Sequence, residues 1–368
     1  MTFCEDLIEA RCRHFGTCGG CKMQNVPYDQ QIERKEEMVR ALFPDHTVHS
    51  IIGCDDAWEW RNKMEYTFSQ TKAGERYLGL MMRGKRRVVQ LEECHLTPSW
   101  FVETLQAVYA WWEESGLDAY FPPADLGCLR TLTLRDGAQQ MAVLTISGFL
   151  EHDQKQSLVE TLSHLDSVIL RRQVIQKKVP TRFEEEVLWG TPYILAELDK
   201  FLFRIRPDTF FQPNTAQAEV LYGLIRDEVE GEVLLDLYCG SGSIGIFCAS
   251  KVKRVIGVEV VPGAEENIKL NGISNMEVQI GTVESLAESL PHADTVVVDP
   301  PRAGLGPKVV KWLNEQKFKK VIYVSCNPKS QAKDIASLEY SVESLQPVDQ
   351  FPHTPHVENI ALLTPLMI

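Results

Sequence analysis

A cysteine at the end of an apolar run is the first residue of this chain that could do covalent chemistry. Cys326 follows Val321–Val324, a run that predicts a buried strand, and precedes Asn327-Pro328, a turn signal. In an open α/β sheet, ligands bind beyond the carboxyl ends of the strands. Cys326 is therefore a candidate nucleophile. The alternative is a small core residue, because free cysteines are often buried.

A glycine-rich stretch follows another apolar run. Gly240, Gly242 and Gly245 have the spacing G-x-G-x-x-G, and Glu259 stands 19 residues after Gly240. This pattern is typical of dinucleotide sites. Asp236, four residues before Gly240, instead favours a cationic ligand such as S-adenosylmethionine (SAM), which carries a sulfonium and an amine but no phosphate. We expect Glu259 to accept hydrogen bonds from ribose hydroxyls, with NAD and a purely structural glycine turn as the alternatives.

The segment Asp299-Pro300-Pro301-Arg302 ends a further apolar run. Methyltransferases that act on exocyclic amines often carry a similar Asp/Asn-Pro-Pro followed by an aromatic residue. Arg302 replaces that aromatic residue here, which weakens an amine-methylating assignment. A rigid Pro-Pro turn is the structural alternative.

Three cysteines close together near the start of the chain indicate a metal centre. Cys12, Cys18 and Cys21 are separated by five and then two residues, and Cys94 is the best remote candidate for a fourth ligand. Four cysteines suit a [4Fe–4S] cluster or tetrahedral zinc. A lone distant fourth cysteine favours iron–sulfur, since structural zinc sites usually use a second close pair. Unrelated free thiols are the remaining alternative.

The elements that position these residues predict three domains. We expect a cysteine segment with a linking helix at residues 1–45, and a central α+β domain at 46–205 that supplies Cys94 and positions a large substrate. Strands alternating with helices at 206–368 predict a doubly wound, mostly parallel seven-stranded sheet of the Rossmann-like α/β class, with a late hairpin.

Composition limits the function classes. The chain has 368 residues, 44% of them apolar, and ten cysteines. Its net charge of −13 argues against indiscriminate nucleic-acid binding but allows local basic surfaces, at Arg83–Arg87 and around Arg171, Arg172, Lys177, Lys178 and Arg182. No apolar run approaches the roughly 20 residues that span a bilayer. Residues 1–6 lack a signal-peptide pattern, so we expect a cytoplasmic protein without a membrane partner. The oligomeric state cannot be read from the sequence.

Taken in order, these motifs and His353-Thr354-Pro355-His356-Val357-Glu358 resemble those of the RNA uracil-5-methyltransferases. The closest resemblance is to the iron–sulfur branch that modifies 23S ribosomal RNA, and it covers residues 12–94 and 204–368. It implies a SAM-dependent methyltransferase fold and an RNA substrate, most of all a single-stranded loop.

The resemblance also implies individual roles. Cys326 would be the nucleophile and Glu358 the general base, with His356 as the alternative base and His353 as a structural residue. The [4Fe–4S] ligands would be Cys12, Cys18, Cys21 and Cys94. In addition to Asp236, Gly240 and Gly242 of the glycine loop, the cofactor contacts would be Gln212, Tyr238, Ser243, Glu259, Thr282 and Asp299.

These residues predict an addition–elimination reaction. A Cys326 thiolate adds to uracil C6, C5 takes the methyl group, and Glu358 removes the C5 proton. Phe210 or Phe211 could stack on the extruded base and Arg302 could contact it, although core packing explains an aromatic pair equally well. The alternatives are a tRNA uracil-5-methyltransferase, a cytosine-5 methyltransferase, a non-catalytic RNA-binding protein and an iron–sulfur oxidoreductase.

Overall fold

The computed structural model describes residues 7–175, 179 and 181–366, which form two compact units. The first unit holds the chain up to Val26, Asp56–Glu197 and Arg204–Asp208; the second holds Pro27–Asp55, Leu198–Phe203 and the chain from Thr209. Lys177 and Lys178 of the basic segment lie outside the described residues. No helix within the described residues is long and apolar enough to cross a membrane.

Residues 27–55 group with the second unit rather than with the cysteine segment. They contain helix α1 (Tyr28–Leu42), which is the predicted linking helix. The helix and the loop after it place Val39, Phe43 and Val48 in the hydrophobic core of the second unit. Because the apolar face of α1 is buried in that core, the helix groups with the second unit although it directly follows the cysteine segment in the sequence.

The first unit is built on a seven-stranded sheet with the order β3-β2-β1-β4-β5-β6-β7. Helices α2 (Ser99–Glu114) and α3 (His152–Leu162) contribute to its core. The strands are β1 (Lys63–Gln70), β2 (Arg76–Met81), β3 (Val88–Gln90), β4 (Leu129–Asp136), β5 (Gln140–Ile146), β6 (Ser167–Val174) and β7 (Arg182–Gly190). Only β5 and β6, which α3 connects, pair in parallel. Strands β4 and β5 form an antiparallel hairpin that turns after Asp136.

Alternating residues of β1 give that sheet two different faces. Met64, Tyr66 and Phe68 are buried in the core of the first unit together with side chains of α2. Lys63 and Glu65 therefore point to the opposite face, because successive side chains of a strand alternate.

The second unit contains the doubly wound sheet that the sequence predicted, with the order β12-β11-β10-β13-β14-β16-β15. Its strands are β10 (Val233–Leu237), β11 (Arg254–Glu259), β12 (Met276–Ile280), β13 (Thr295–Val298), β14 (Lys320–Ser325), β15 (Tyr340–Val348) and β16 (Glu358–Pro365). The first five are parallel, and β16 pairs antiparallel with β14 and β15. The predicted late hairpin is confirmed by the antiparallel pairing of β15 with β16.

Six helices of this unit complete the fold: α4 (Thr215–Glu228), α5 (Ser243–Cys248), α6 (Ala264–Leu270), α7 (Val283–Leu286), α8 (Gly306–Gln316) and α9 (Pro328–Ile335). Strands β8 (Ile194–Leu198) and β9 (Phe201–Ile205) form a separate two-stranded sheet.

Candidate active site

The carboxyl ends of four parallel strands meet at one edge of the sheet in the second unit. A candidate residue stands at each end: Tyr238 after β10, Glu259 at the end of β11, Asp299 after β13 and Cys326 after β14. Adjacent parallel strands share this edge, so the fold brings these side chains to one region.

The antiparallel strand β16 brings Glu358 to the same edge. Ser325 at the end of β14 pairs with Asn359 near the start of β16. Continuing that register by one residue places Cys326 opposite Glu358. The predicted nucleophile and the predicted base are therefore neighbours across two strands, although 32 positions separate them in the sequence.

The electrostatics of the site keep the Cys326 thiol protonated at rest. Its side chain is half-buried, and burial raises its pKa to about 11, with a further contribution from the negative charges of Glu358 and Asp299. The guanidinium of Arg302 acts in the opposite direction. Since the thiolate is the nucleophilic form, Cys326 must lose a proton or gain a cationic neighbour before it reacts.

Two carboxyl groups share this environment. Glu358 is 2% exposed, and burial together with the charge of Asp299 holds its pKa well above the usual range. Burial also raises the pKa of Asp299 to about 7. Two such carboxyls next to a thiol cannot all be charged at neutral pH, so a proton can be exchanged within the group.

The loop after β10 contains three residues in the left-handed backbone region. The φ angles are 64° at Tyr238, 54° at Gly240 and 80° at Gly242. Glycine adopts this conformation easily, whereas a tyrosine held there costs on the order of 1–3 kcal/mol. Strain of this kind is typical of functional sites.

Asp236 lies beneath this loop and is fully buried. One carboxylate oxygen accepts a hydrogen bond of 2.8 Å from the Gly245 amide in the first turn of α5. The other has no hydrogen-bond partner among the described residues. Burial raises the pKa of Asp236 to about 7 despite the Gly245 amide. A buried acceptor without a donor is a position where a bound ligand or a proton would be stabilised.

Glu259 already receives three backbone hydrogen bonds. Its Oε2 accepts from Gly240 at 2.9 Å, and its Oε1 accepts from Val260 at 2.7 Å and from Val261 at 3.0 Å. A carboxylate has about four acceptor positions, so one remains for a ribose hydroxyl while the amides stay in place.

The other predicted cofactor contacts have different surroundings. The Ser243 hydroxyl donates to the Tyr222 hydroxyl at 3.2 Å, and both side chains are buried. Thr282 is exposed, and its hydroxyl caps α7 by accepting from the Ser285 amide at 3.2 Å. Gln212 is 5% exposed. Capping thus accounts for Thr282 without a ligand.

The aromatic pair divides into one exposed and one buried ring. Phe210 is 65% exposed, whereas Phe211 is 7% exposed and packs against Phe203 at a ring-centroid distance of 5.7 Å. Only Phe210 is available for stacking on a base. The exposed Arg302 approaches His356, with 3.5 Å between Nη2 and Nδ1.

A buried ion pair anchors the segment that leads to Glu358, and the sequence did not reveal it. Lys35 of α1 and Asp349 are 2% and 0% exposed, with 2.5 Å between Nζ and Oδ1. The Lys35 ammonium also donates to the Phe351 carbonyl at 3.0 Å, and the Tyr28 hydroxyl donates to Asp349 at 2.9 Å. Removing one partner of such a pair typically costs about 3–5 kcal/mol, because the other charge is left buried.

Helix α1 also contacts His353 through Gln31. The backbone amide of His353 donates to Gln31 Oε1 at 2.9 Å, and His353 Nδ1 lies 3.1 Å from Gln31 Nε2. His353 is 3% exposed and has a φ of 62°. These contacts give His353 a structural place beside α1.

In the first unit, the four candidate cluster ligands, Cys12, Cys18, Cys21 and Cys94, line one cavity of about 20 Å³. Burial raises the pKa of Cys12 to about 11 and that of Cys21 to about 12, and the charges of the other thiols add to this. The Cys21 sulfur accepts from Gln24 Nε2 at 3.1 Å and the Cys18 sulfur from the Gly20 amide at 3.4 Å. Among the described residues, however, no group of three or more His, Cys, Asp or Glu side chains could hold a metal ion.

Comparison with known proteins identifies the family. The family model described as tRNA (uracil-5-)-methyltransferase matches residues 27–365. The chain belongs to this RNA uracil-5-methyltransferase family. It is 43% identical over 403 residues to an uncharacterized RNA methyltransferase of Protochlamydia amoebophila, covering 97% of this chain and 91% of the relative. It is 37% identical over 386 residues to another from Chlamydia trachomatis, with 96% and 97% covered.

A solved structure supports the cofactor of this RNA uracil-5-methyltransferase family. The chain is similar to the Pyrococcus abyssi tRNA (uracil-54, C5)-methyltransferase in complex with S-adenosyl-L-homocysteine, with 29% identity and a TM-score of 0.80. The match covers 94% of this chain and 86% of that one. The fold of the second unit is thus that of SAM-dependent methyltransferases, and the protein is an RNA methyltransferase.

Proposed function

We propose that this protein forms 5-methyluridine in RNA, with Cys326 as the nucleophile and Glu358 as the base. The observation that carries the proposal is the pairing of β14 with β16, which puts the thiol and the carboxyl side by side at the cofactor edge of the sheet. A cytosine-5 methyltransferase usually carries its cysteine after a proline at the end of the fourth strand of this sheet. That strand is β13 here, and it is followed by Asp299-Pro300 without a cysteine, which disfavours that alternative.

The reaction divides one difficult step into easier ones. The Cys326 sulfur adds to uracil C6, and the electron pair of the C5–C6 bond moves to C5 and its neighbouring carbonyl. SAM supplies the methyl group that C5 takes, and S-adenosylhomocysteine leaves. Glu358 then accepts the C5 proton, and elimination breaks the bond between C6 and sulfur, which restores the thiolate.

Several residues support binding of SAM and of the base. Glu259 has one acceptor position left for the ribose, and the buried Asp236 and Asp299 favour a cationic cofactor over a phosphate-bearing one. The positive charge of the SAM sulfonium would also stabilise the thiolate form of Cys326 by Coulomb attraction. The remaining contacts are assigned to Gln212, Tyr238, Ser243, Gly240, Gly242 and, more weakly, Thr282. Phe210 would stack on the extruded base, and Arg302 would contact it.

A covalent trap tests this function directly. RNA containing 5-fluorouridine carries fluorine where the C5 proton should be, so the reaction should stop after methyl transfer with Cys326 still bonded to C6. We expect a SAM-dependent protein–RNA adduct that survives denaturing electrophoresis, with mass spectrometry locating the link at Cys326. Absence of an adduct, together with absence of 5-methyluridine in treated RNA, would contradict the proposal.

We assign 23S ribosomal RNA as the substrate class and tRNA as the alternative. The motif order supports the first, and the similarity to a tRNA (uracil-54, C5)-methyltransferase supports the second. Mapping 5-methyluridine by mass spectrometry in both RNA classes, from cells with and without the gene, separates them. The protein would act in the cytoplasm.

We further propose that Cys12, Cys18, Cys21 and Cys94 bind a [4Fe–4S] cluster that orders their loop. Four thiols around one cavity and hydrogen-bond donors aimed at two sulfurs support it. Tetrahedral zinc is the alternative, and it is less favoured because structural zinc sites usually use a second close pair of cysteines, whereas Cys94 stands alone in the sequence. Methyl transfer from SAM moves no net electrons, so the cluster needs no redox role in it.

Anaerobic purification tests the cluster independently of activity. The protein should be brown and contain iron and sulfide, and Cys94→Ser should lose most of both. Cys128→Ser, which changes another half-buried thiol of the same unit, should keep them. A colourless protein that contains zinc would contradict the assignment.

A further inference from the structure

Three basic side chains lie close together on one face of the sheet in the first unit. Lys63 of β1 and Arg135 of β4 are direct cross-strand partners. Arg171 of β6 is near enough to act on the charge state of both. Met64 and Leu134, next to the first two in sequence, are buried in the core, so this basic face is the opposite one. We call these three residues the basic cluster.

The basic cluster is unusually buried for its charge. Arg135 is 3% exposed, the Arg171 side chain is 13% exposed, and Lys63 is half-buried. Burial lowers the pKa of Lys63 to about 8, with a further contribution from the positive charge of Arg135. Burial and Arg171 lower the pKa of Arg135 to about 10. Like charges at this depth oppose folding unless something compensates them.

The protein compensates two of the three charges better than the third. Arg171 donates to Glu185 Oε1 from Nε at 2.8 Å and from Nη2 at 2.5 Å. Arg135 donates to the Pro207 carbonyl at 3.0 Å and is attracted by Asp208. In the part of the chain that the structure describes, the Lys63 ammonium makes no hydrogen bond or ion pair, although the charge of Glu65 attracts it.

We propose that the basic cluster binds a backbone phosphate of the RNA, with Lys63 as its principal contact. A phosphate would supply the missing negative charge, and lysine binds phosphate as a compact point charge beside the forked guanidinium groups. The chain carries a net charge of −13 and repels RNA at long range, which makes a local site of this kind valuable. Such contacts fix where a strand lies and carry no sequence information.

Salt-dependent binding measures the contact. The inference rests on the proposed function only in taking RNA as the ligand, so the probe is a fluorescein-labelled oligouridylate followed by anisotropy. Lys63→Gln should bind several-fold more weakly, and its log–log salt slope should shrink by about 0.7, the value for one phosphate on a single strand. Lys72→Gln, an exposed lysine of the same unit, should leave both quantities unchanged. An unchanged slope in Lys63→Gln would overturn the phosphate contact.

The pH dependence of binding provides a second readout. Only the charged form of Lys63 binds phosphate, so oligouridylate affinity should fall as the pH rises through about 8. The other charged groups facing Lys63 are Arg61, Glu65, Arg135 and Arg171. Lys63→Arg should bind equally well at pH 7 and pH 9. A wild-type profile as flat as that of Lys63→Arg would refute the role of Lys63.

Thermal stability and methylation kinetics distinguish phosphate binding by Lys63 from a purely structural role. A structural role for Lys63 predicts a lower melting temperature in Lys63→Gln, whereas relief of repulsion predicts an equal or higher one. At saturating RNA, Lys63→Gln should methylate at the wild-type kcat with a raised KM. If Lys63→Gln methylates RNA with an unchanged KM, the phosphate site is rejected and the proposed function stands. If RNA binding depends on Lys63 but the wild type does not methylate RNA, the proposed function is rejected and the phosphate site stands.

Discussion

Replacing Cys326 by alanine should abolish both methylation and the covalent adduct while leaving the fold intact. Without the sulfur nothing adds to C6, and C5 of uracil is too weak a nucleophile to take the methyl group on its own. The loss should reach at least about 10⁴-fold, as expected when a residue that acts as part of a catalytic unit is removed. The measurements are turnover with methyl-labelled SAM and trapping with 5-fluorouridine RNA.

A matched variant separates chemistry from packing. Cys128 is also half-buried, and burial raises its pKa to about 11, the same value as for Cys326, but it belongs to the first unit. Cys128→Ala should keep the wild-type rate, and both variants should bind SAM with wild-type affinity in calorimetry. An adduct formed by Cys326→Ala would show that another residue is the nucleophile.

Replacing Glu358 by glutamine should instead stop the enzyme after methyl transfer. The amide cannot accept the C5 proton, so the bond between C6 and sulfur persists and ordinary uridine RNA should accumulate as a methylated adduct. Turnover should fall about 10²- to 10⁴-fold. Folding should change little, because glutamine has nearly the same size and shape as the buried glutamate that it replaces.

The first step, the addition of Cys326 to uracil C6, should not be slowed by Glu358→Gln. The negative charge of Glu358 raises the pKa of Cys326, so removing that charge lowers it and makes the thiolate more available at neutral pH. Adduct formation by Glu358→Gln should therefore be as fast as in the wild type or faster. Glu343→Gln, an exposed change on β15, serves as the control. Normal multiple turnover by Glu358→Gln would transfer the base role to another group, with His356→Asn as the variant to examine next.

The sequence revealed the parts of the site that depend on local pattern. Strand periodicity and the turn after each strand predicted the parallel sheet, and parallel strands necessarily share a carboxyl edge. Tyr238, Glu259, Asp299 and Cys326 could be placed there on that basis. The position of Glu358 followed from the resemblance, and its pairing with Cys326 required the antiparallel register of β16.

The rest depends on contacts between distant segments. Lys35 lies in a helix rich in charged residues, where a solvent-exposed face is the natural prediction, yet it is 2% exposed and paired with Asp349. Lys63 alternates with apolar residues as an outward-facing side chain should, and only the sheet order shows it beside Arg135. Adjacent phenylalanines at 210 and 211 are indistinguishable by pattern, although one is exposed and the other is in the core.

The ion pair of Lys35 and Asp349 joins two segments of the chain that the ribosome makes far apart in time. The two residues are 314 positions apart, so the ribosome completes helix α1 long before the carboxylate that will neutralise its buried ammonium exists. Glu358 follows Asp349 by nine residues. Contacts between such distant segments form late, because the intervening chain must be ordered first. The proposed pair of Cys326 and Glu358 would therefore come together only after synthesis has passed residue 358.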